Sequence, residues 1–274
     1  MLLNFTFAAM LSVSAAAAPT GSPVTASMPV YSQQMQADKL LVAAVPPPTT
    51  PLPALPKSTP AKLGVFESVA ISAARLPAAG KWQAARKTDY SQMFGADCAL
   101  SGLTGCDSRF ATKIRGIADQ VAGLSDREML NLVNRTVNDA MTYKSDDAVW
   151  GTSDYWATPS EMARKGAGDC EDFAIAKYWA LRSLGIPDDK LQLVLLQDTR
   201  RQLFHAVLIA HTGSGAYVLD NVSNRLLVDT DIAQYQPIMS FAGERSYIHG
   251  FASNSRAVAD MPTDLSEVAP GIGL

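Results

Sequence analysis

The sequence predicts an α+β fold in which a central helix carrying Cys170 packs on an antiparallel β-sheet. Two observations carry that expectation. The segment from Asp169 to Leu184 places Phe173, Ala176, Ala180 and Leu184 on one stripe with Ile175 and Trp179 beside it, the pattern of a helix enclosed by a core. It is followed by four short aliphatic runs, Leu191 to Leu196, Phe204 to Ala210, Ala216 to Asp220 and Arg225 to Val228, separated by turn residues. A helix followed by neighbouring strands is an α+β arrangement rather than an alternating one.

The elements follow in chain order. Residues 1–18, MLLNFTFAAMLSVSAAAA, form an apolar run ending in small residues, which predicts a signal peptide and an exported, periplasmic protein. A basic n-region is missing, so an ordinary apolar tail is the alternative. Residues 19–62 are rich in Pro, Thr, Ser and Ala, a composition that cannot build a core and favours an extended linker. The folded domain is expected over 63–255, with a flexible tail over 256–274. Its opening, to about Gly123, is weakly periodic and reads as short helices and loops. Ser125 and Glu128 then form a capping box, and Met129, Leu132, Val133, Thr136, Val137, Ala140 and Met141 recur at helical spacing. Thr158 and Glu161 repeat the capping logic, with Pro159 at the first helical position. That helix ends at Gly166 to Gly168, and the central helix ends at Gly185 with Pro187 beyond.

Composition excludes several classes. With 274 residues, 47% of them hydrophobic, the chain is long enough for one substantial domain plus appendages. A net charge of −3 without a Lys/Arg run argues against nucleic acid as a partner. Past the leader, no stretch reaches the roughly 18 to 20 apolar residues a membrane span requires. Cys98 and Cys106 lie close together while Cys170 stands alone, so the simplest arithmetic is one disulfide and one free thiol. Three buried thiols are the alternative.

The lone cysteine points to chemistry. At the first turn of a helix, unpaired N–H groups and the positive end of the dipole favour a thiolate, the nucleophilic form. The same groups could donate to an oxyanion. Asp169 is the expected N-cap, and Gly168 is expected to let the chain turn sharply into the helix. A base must come from three histidines, His205, His211 and His249. Alternation places His205 on a strand face with Val207 and Ile209, where a polar ring needs a partner. A hairpin closed at Thr212-Gly213, or by a four-residue loop from His211 to Ser214, would set His205 directly opposite Asp220. Such a carboxylate would fix the imidazole tautomer for work on the thiol. Taken singly, each residue also has a structural reading: a buried cysteine, a core histidine and a turn aspartate.

Four segments carry a family resemblance. Asp154-Tyr155-Trp156-Ala157-Thr158-Pro159, Gly168-Asp169-Cys170-Glu171-Asp172-Phe173-Ala174, His205-Ala206-Val207 and Leu219-Asp220-Asn221 resemble the bacterial transglutaminase-like cysteine proteinases, over about Thr136 to Gly250. The resemblance implies a papain/transglutaminase-like fold with catalytic Cys170, His205 and Asp220. It also implies Ca²⁺ held by Asp169 and Glu171, with backbone carbonyls, water and Asp172 or Asp154 completing the shell. Without a metal, Asp169 and Glu171 would simply be a cap and a first-turn acid. The family implies a periplasmic endopeptidase that cuts a large surface adhesin near its N-terminus, regulating biofilm attachment, and an inner-membrane cyclic di-GMP receptor as partner. A transglutaminase or amidase would use the same triad, and a binding module could keep the fold without the reaction.

Overall fold

The computed structural model describes residues 63–251, 262 and 264–271; the expected signal peptide and Pro-rich linker lie outside the described residues. The domain begins with β1 (Val69–Ser72), α1 (Ala79–Arg86) and α2 (Arg109–Arg115), joined by turns and 3₁₀ segments. Cys98 and Cys106 form a disulfide within this stretch, and Cys170 keeps a free thiol. Next comes α3 (Asp126–Ala140), opened by the Ser125–Glu128 capping box. Its buried side chains are Leu130, Val133, Asn134 and Val137, so the stripe is rotated slightly from the expected one. Asn134 explains the shift: its Nδ2 donates to the Ser223 carbonyl at 2.9 Å, which lets a polar residue occupy the inner face.

A small parallel pair, β2 (Thr142–Tyr143) with β3 (Ala167–Gly168), brackets α4 (Asp146–Trp150) and α5 (Pro159–Lys165). Thr158 and Glu161 form the second capping box, and Gly166 takes the left-handed conformation that ends α5. The central helix, α6 (Cys170–Ser183), is buried at every position from Cys170 to Leu181. Truncating Leu181 there would cost about 2 to 5 kcal/mol, the usual penalty for emptying a packed aliphatic site.

Then come β4 (Leu191–Asp198), β5 (Leu203–Thr212), β6 (Gly215–Leu219), β7 (Leu227–Val228), β8 (Tyr235–Ala242) and β9 (Arg245–Gly250). With β1 they form an antiparallel sheet of seven strands in the order β1-β9-β8-β4-β5-β6-β7. Alternation along the strands divides the core. Leu193, Leu195, Ala206, Leu208 and Leu219 face the helices, whereas Val194, Leu196, Val207, Ile209 and Val218 meet Val65, Phe66 and Tyr235 on the other face. Strand β8 escapes the sequence pattern because Pro237 lies inside it. The sheet accommodates that residue with a register shift between Leu195 and Leu196, the kind of irregularity where a strand proline is tolerated.

Of the expected C-terminal tail, residues 262 and 264–271 are described. A 3₁₀ turn spans Leu265–Glu267, Val268 is buried in the main core, and the Gly271 N–H donates to the Phe204 carbonyl at 2.9 Å. The segment 264–271 therefore packs onto the domain instead of trailing from it.

Candidate active site

Strand β3 delivers the chain to the tip of α6. Gly168 is required there for space rather than for a left-handed turn: an added Cβ would come within 2.3 Å of Asp172 Oδ2. Asp172 Oδ1 in turn accepts the Ala157 N–H at 2.7 Å, tying the segment before α5 to the helix. Asp169 occupies the N-cap position, but its side chain makes no capping hydrogen bond; it turns toward other carboxylates. Cys170 is 1% exposed, and its thiol donates to Glu171 Oε2 at 3.4 Å. The sulfur also accepts from the Ala206 N–H, on the residue that follows His205. Burial first, and the Asp169 charge second, push the thiol well above its ordinary value, outweighing the helix tip that was expected to lower it.

His205 is supplied by β5 and is almost fully buried. The β5–β6 turn is Gly213-Ser214, and Leu208 pairs with Leu219. Continuing that register sets Asp220 opposite Val207, two residues from the expected partner. A shift of two keeps the side chain on the same face, so the interaction survives as a diagonal pair: His205 Nε2 lies 2.9 Å from Asp220 Oδ1. With Nε2 donating to the carboxylate, Nδ1 is left for another partner. Asp220 Oδ1 also takes the Val222 N–H at 3.0 Å, and Oδ2 takes the Tyr235 hydroxyl at 2.5 Å. Burial alone would raise the Asp220 carboxyl; bonds from His205 and Tyr235 hold it far below the usual carboxylate range. The Tyr235 ring also packs edge-on to His205, with centroids 5.8 Å apart.

The structure thus joins His205 to Asp220 directly and sets the sulfur beside the backbone adjoining His205, while the thiol hydrogen goes to Glu171 rather than to the imidazole. The other histidines serve the sheet. His211 bonds Gln192 at 2.7 Å, and His249 lies between Ser68 and Ser240, each at 2.7 Å. Burial lowers both imidazoles to about 4. Tyr235 was missed because it sits on the strand disguised by Pro237.

Around the same helix tip, carboxylates crowd together. Asp146, Asp169 and Asp172 place one oxygen each within 4.8 Å of one another, as do Asp146, Asp154 and Glu171, and the Asp169, Cys170 and Glu171 ligand atoms. Asp146 Oδ1, Asp169 Oδ1, Glu171 Oε1 and Asp172 Oδ2 are buried without hydrogen-bond partners. Burial, reinforced by neighbouring acids, raises Asp146 to about 6, Asp169 to about 7, and Glu171 and Asp172 well above the carboxylate range. Buried acidic oxygens lacking donors fit a hard cation, which takes six to eight oxygen ligands. Asp154 is drawn toward Lys81 by an ion pair and also accepts from Trp156 Nε1 at 3.0 Å. Asp146 joins the set unforeseen, because an acid following Ser145 reads as an ordinary first-turn residue of α4.

A buried helix carrying a free cysteine at its tip, packed on an antiparallel sheet, defines the papain/transglutaminase fold class. The chain belongs to the bacterial transglutaminase-like cysteine proteinases, whose family model matches residues 107–246, just over half of its length, and it is a cysteine protease. Among solved structures it is similar to Legionella pneumophila LapG. The calcium-bound form is 28% identical over 54% of this chain and 83% of that one, with a TM-score of 0.46. A second LapG structure is 26% identical over 59% and 88%, with a TM-score of 0.48. An EGTA-treated form gives 26% identity, 59% and 86% coverage and a TM-score of 0.48. None of the curated proteins matches the chain.

Proposed function

We propose that this protein is an exported, calcium-dependent endopeptidase with Cys170 as nucleophile, His205 as general base and Asp220 as the residue that orients the imidazole. The observation that carries this reading is the buried His205–Asp220–Tyr235 array beside the free Cys170 thiol. In this mechanism His205 takes the thiol proton and the sulfur attacks a peptide carbonyl. First-turn N–H groups of α6 receive the negative charge that forms on oxygen. His205 then protonates the departing amine, and water hydrolyses the thioester. Asp220, kept anionic by Tyr235 and the Val222 N–H, stabilises the imidazolium formed between these steps.

Asp146, Asp169, Glu171 and Asp172 would hold the Ca²⁺, with Asp154 within reach of the set. The ion supplies positive charge to carboxylates that otherwise repel one another at the helix tip. The chemistry of the donor set supports this assignment, which extends the two expected ligands, Asp169 and Glu171, to four. Among the described residues no helix is long and apolar enough to cross a membrane. In the proposed setting the protein works in the periplasm on a large surface adhesin, cutting near its N-terminus, with an inner-membrane cyclic di-GMP receptor as regulator. Family resemblance supports that substrate and partner.

The test is product analysis. Incubated with Ca²⁺ and an unstructured polypeptide, the protein should yield fragments by mass spectrometry, and Cys170→Ala should yield none. Isopeptide-linked products would assign a transglutaminase, and release of ammonia alone an amidase. An unchanged substrate with an unreactive thiol would leave only a binding module.

A further inference from the structure

We propose that the C-terminal segment Val268–Gly271 occupies the peptide-binding groove of the thiol site, holding the place of a substrate backbone until it is displaced. This inference rests on Cys170 being the nucleophile. Its first support is the main-chain bond from the Gly271 N–H to the Phe204 carbonyl, 2.9 Å long, immediately before His205. A strand carbonyl beside the base is the acceptor that an extended peptide would use, and here the chain's own backbone takes it. The second support is packing: Val268 is 5% exposed and is buried in the domain's main core.

The third support comes from the walls. A Cβ placed on Gly271 would meet Asp169 Oδ2 at 3.3 Å and Tyr143 Oη at 3.6 Å, so the segment ends against the residue preceding the nucleophile. Cys170 and His205 are 1% and 2% exposed, so a peptide carbonyl cannot arrive without something leaving. The segment can be displaced because Ser266 and Glu267 are exposed and, among the described residues, one backbone bond holds its end, although Val268 and Pro270 are buried. The groove selects a substrate of matching chemistry: a peptide that bends as Pro270-Gly271 does, with an apolar residue at the Val268 position and, three positions on, one with little or no side chain against Asp169 and Tyr143.

The experiment measures iodoacetamide labelling of the thiol by mass spectrometry, in Ca²⁺, for the full chain, a chain ending at Met261, and Gly271→Val. Cys98 and Cys106 are bonded to each other, so labelling reads Cys170. The truncated chain should label about tenfold faster, as removal of a competing closed state requires. A synthetic peptide of residues 262–274 should restore the slow rate. Gly271→Val should label several-fold faster, because its left-handed backbone (φ +81°) and the Asp169 contact both resist a branched side chain. If truncation unfolds the domain, the point variant alone decides. Equal labelling in the full chain and in each folded variant overturns the proposal. Faster labelling without any peptide cleavage would instead sink the protease reading and leave the groove assignment standing.

Discussion

The two flanks of the α6 tip differ in how their polar groups are satisfied. On the imidazole flank, both Asp220 oxygens have donors, from His205, Val222 and Tyr235. On the acid flank, four carboxylates each leave a buried oxygen without one. Buried polar groups without partners cost about 1 to 3 kcal/mol each, more when charged, so a fold retains such a cluster only where something completes it. One flank is finished by the protein itself, and in the proposed function a cation would finish the other.

The largest expected effect falls on the finished flank. His205→Ala and Asp220→Ala should each lower kcat/KM by about 10³ to 10⁴-fold, the scale set by other triads, while both stay folded in Ca²⁺ and Asp220→Ala melts lower than the parent because the His205, Val222 and Tyr235 donors lose their acceptor. Near-parental activity in either variant would remove that residue from the reaction.

Chelation should act on the other flank, through stability. Asp146 and Asp169 are raised from 3.8 to about 6 and about 7 in the folded, metal-free protein. Such acids bind more protons folded than unfolded, so their contribution is present below about pH 4 and is lost as pH rises through about 6 and then 7. The chelated protein should therefore melt at progressively lower temperature from pH 5 to pH 8. Added Ca²⁺ should raise the melt more at pH 8 than at pH 5, with a gain near 3 to 4 kcal/mol at saturating ion. A gain that is flat with pH would contradict the carboxylate origin.

A smaller effect isolates Tyr235. Tyr235→Phe removes one donor from Asp220 and keeps the ring against His205, so kcat should fall about tenfold, the worth of one charge-assisted bond, with KM unchanged. The acid limb of the pH–rate profile should shift as well; a loss confined to KM would make Tyr235 a packing residue only.

Much of this was legible in the sequence because it depended on local chemistry. Both capping boxes, the buried helix and the Cys98–Cys106 pairing follow from near neighbours in the chain. His205 and Asp220 could be paired from alternation alone, since a register error of two leaves the face unchanged. What stayed hidden depends on distant contacts. Asp146 looks like any first-turn acid until α4 folds against β3 and α6, and Tyr235 lies on a strand whose proline argues against a strand. Docking of Val268 and Gly271 rests on a carbonyl more than sixty residues earlier in the chain. The thiol was misjudged because the helix tip was weighed without the burial and carboxylates around it.

The contrast between the flanks is tested most directly by titrating Ca²⁺ into chelator-treated protein at pH 8 and following the melting temperature of the parent, Asp220→Asn and an Asp169→Asn/Glu171→Gln double variant. The melt should climb with Ca²⁺ in the parent and in Asp220→Asn alike, and stay level in the double variant. A parent protein whose melt ignores Ca²⁺ would contradict the claim that the acid flank is completed by a cation.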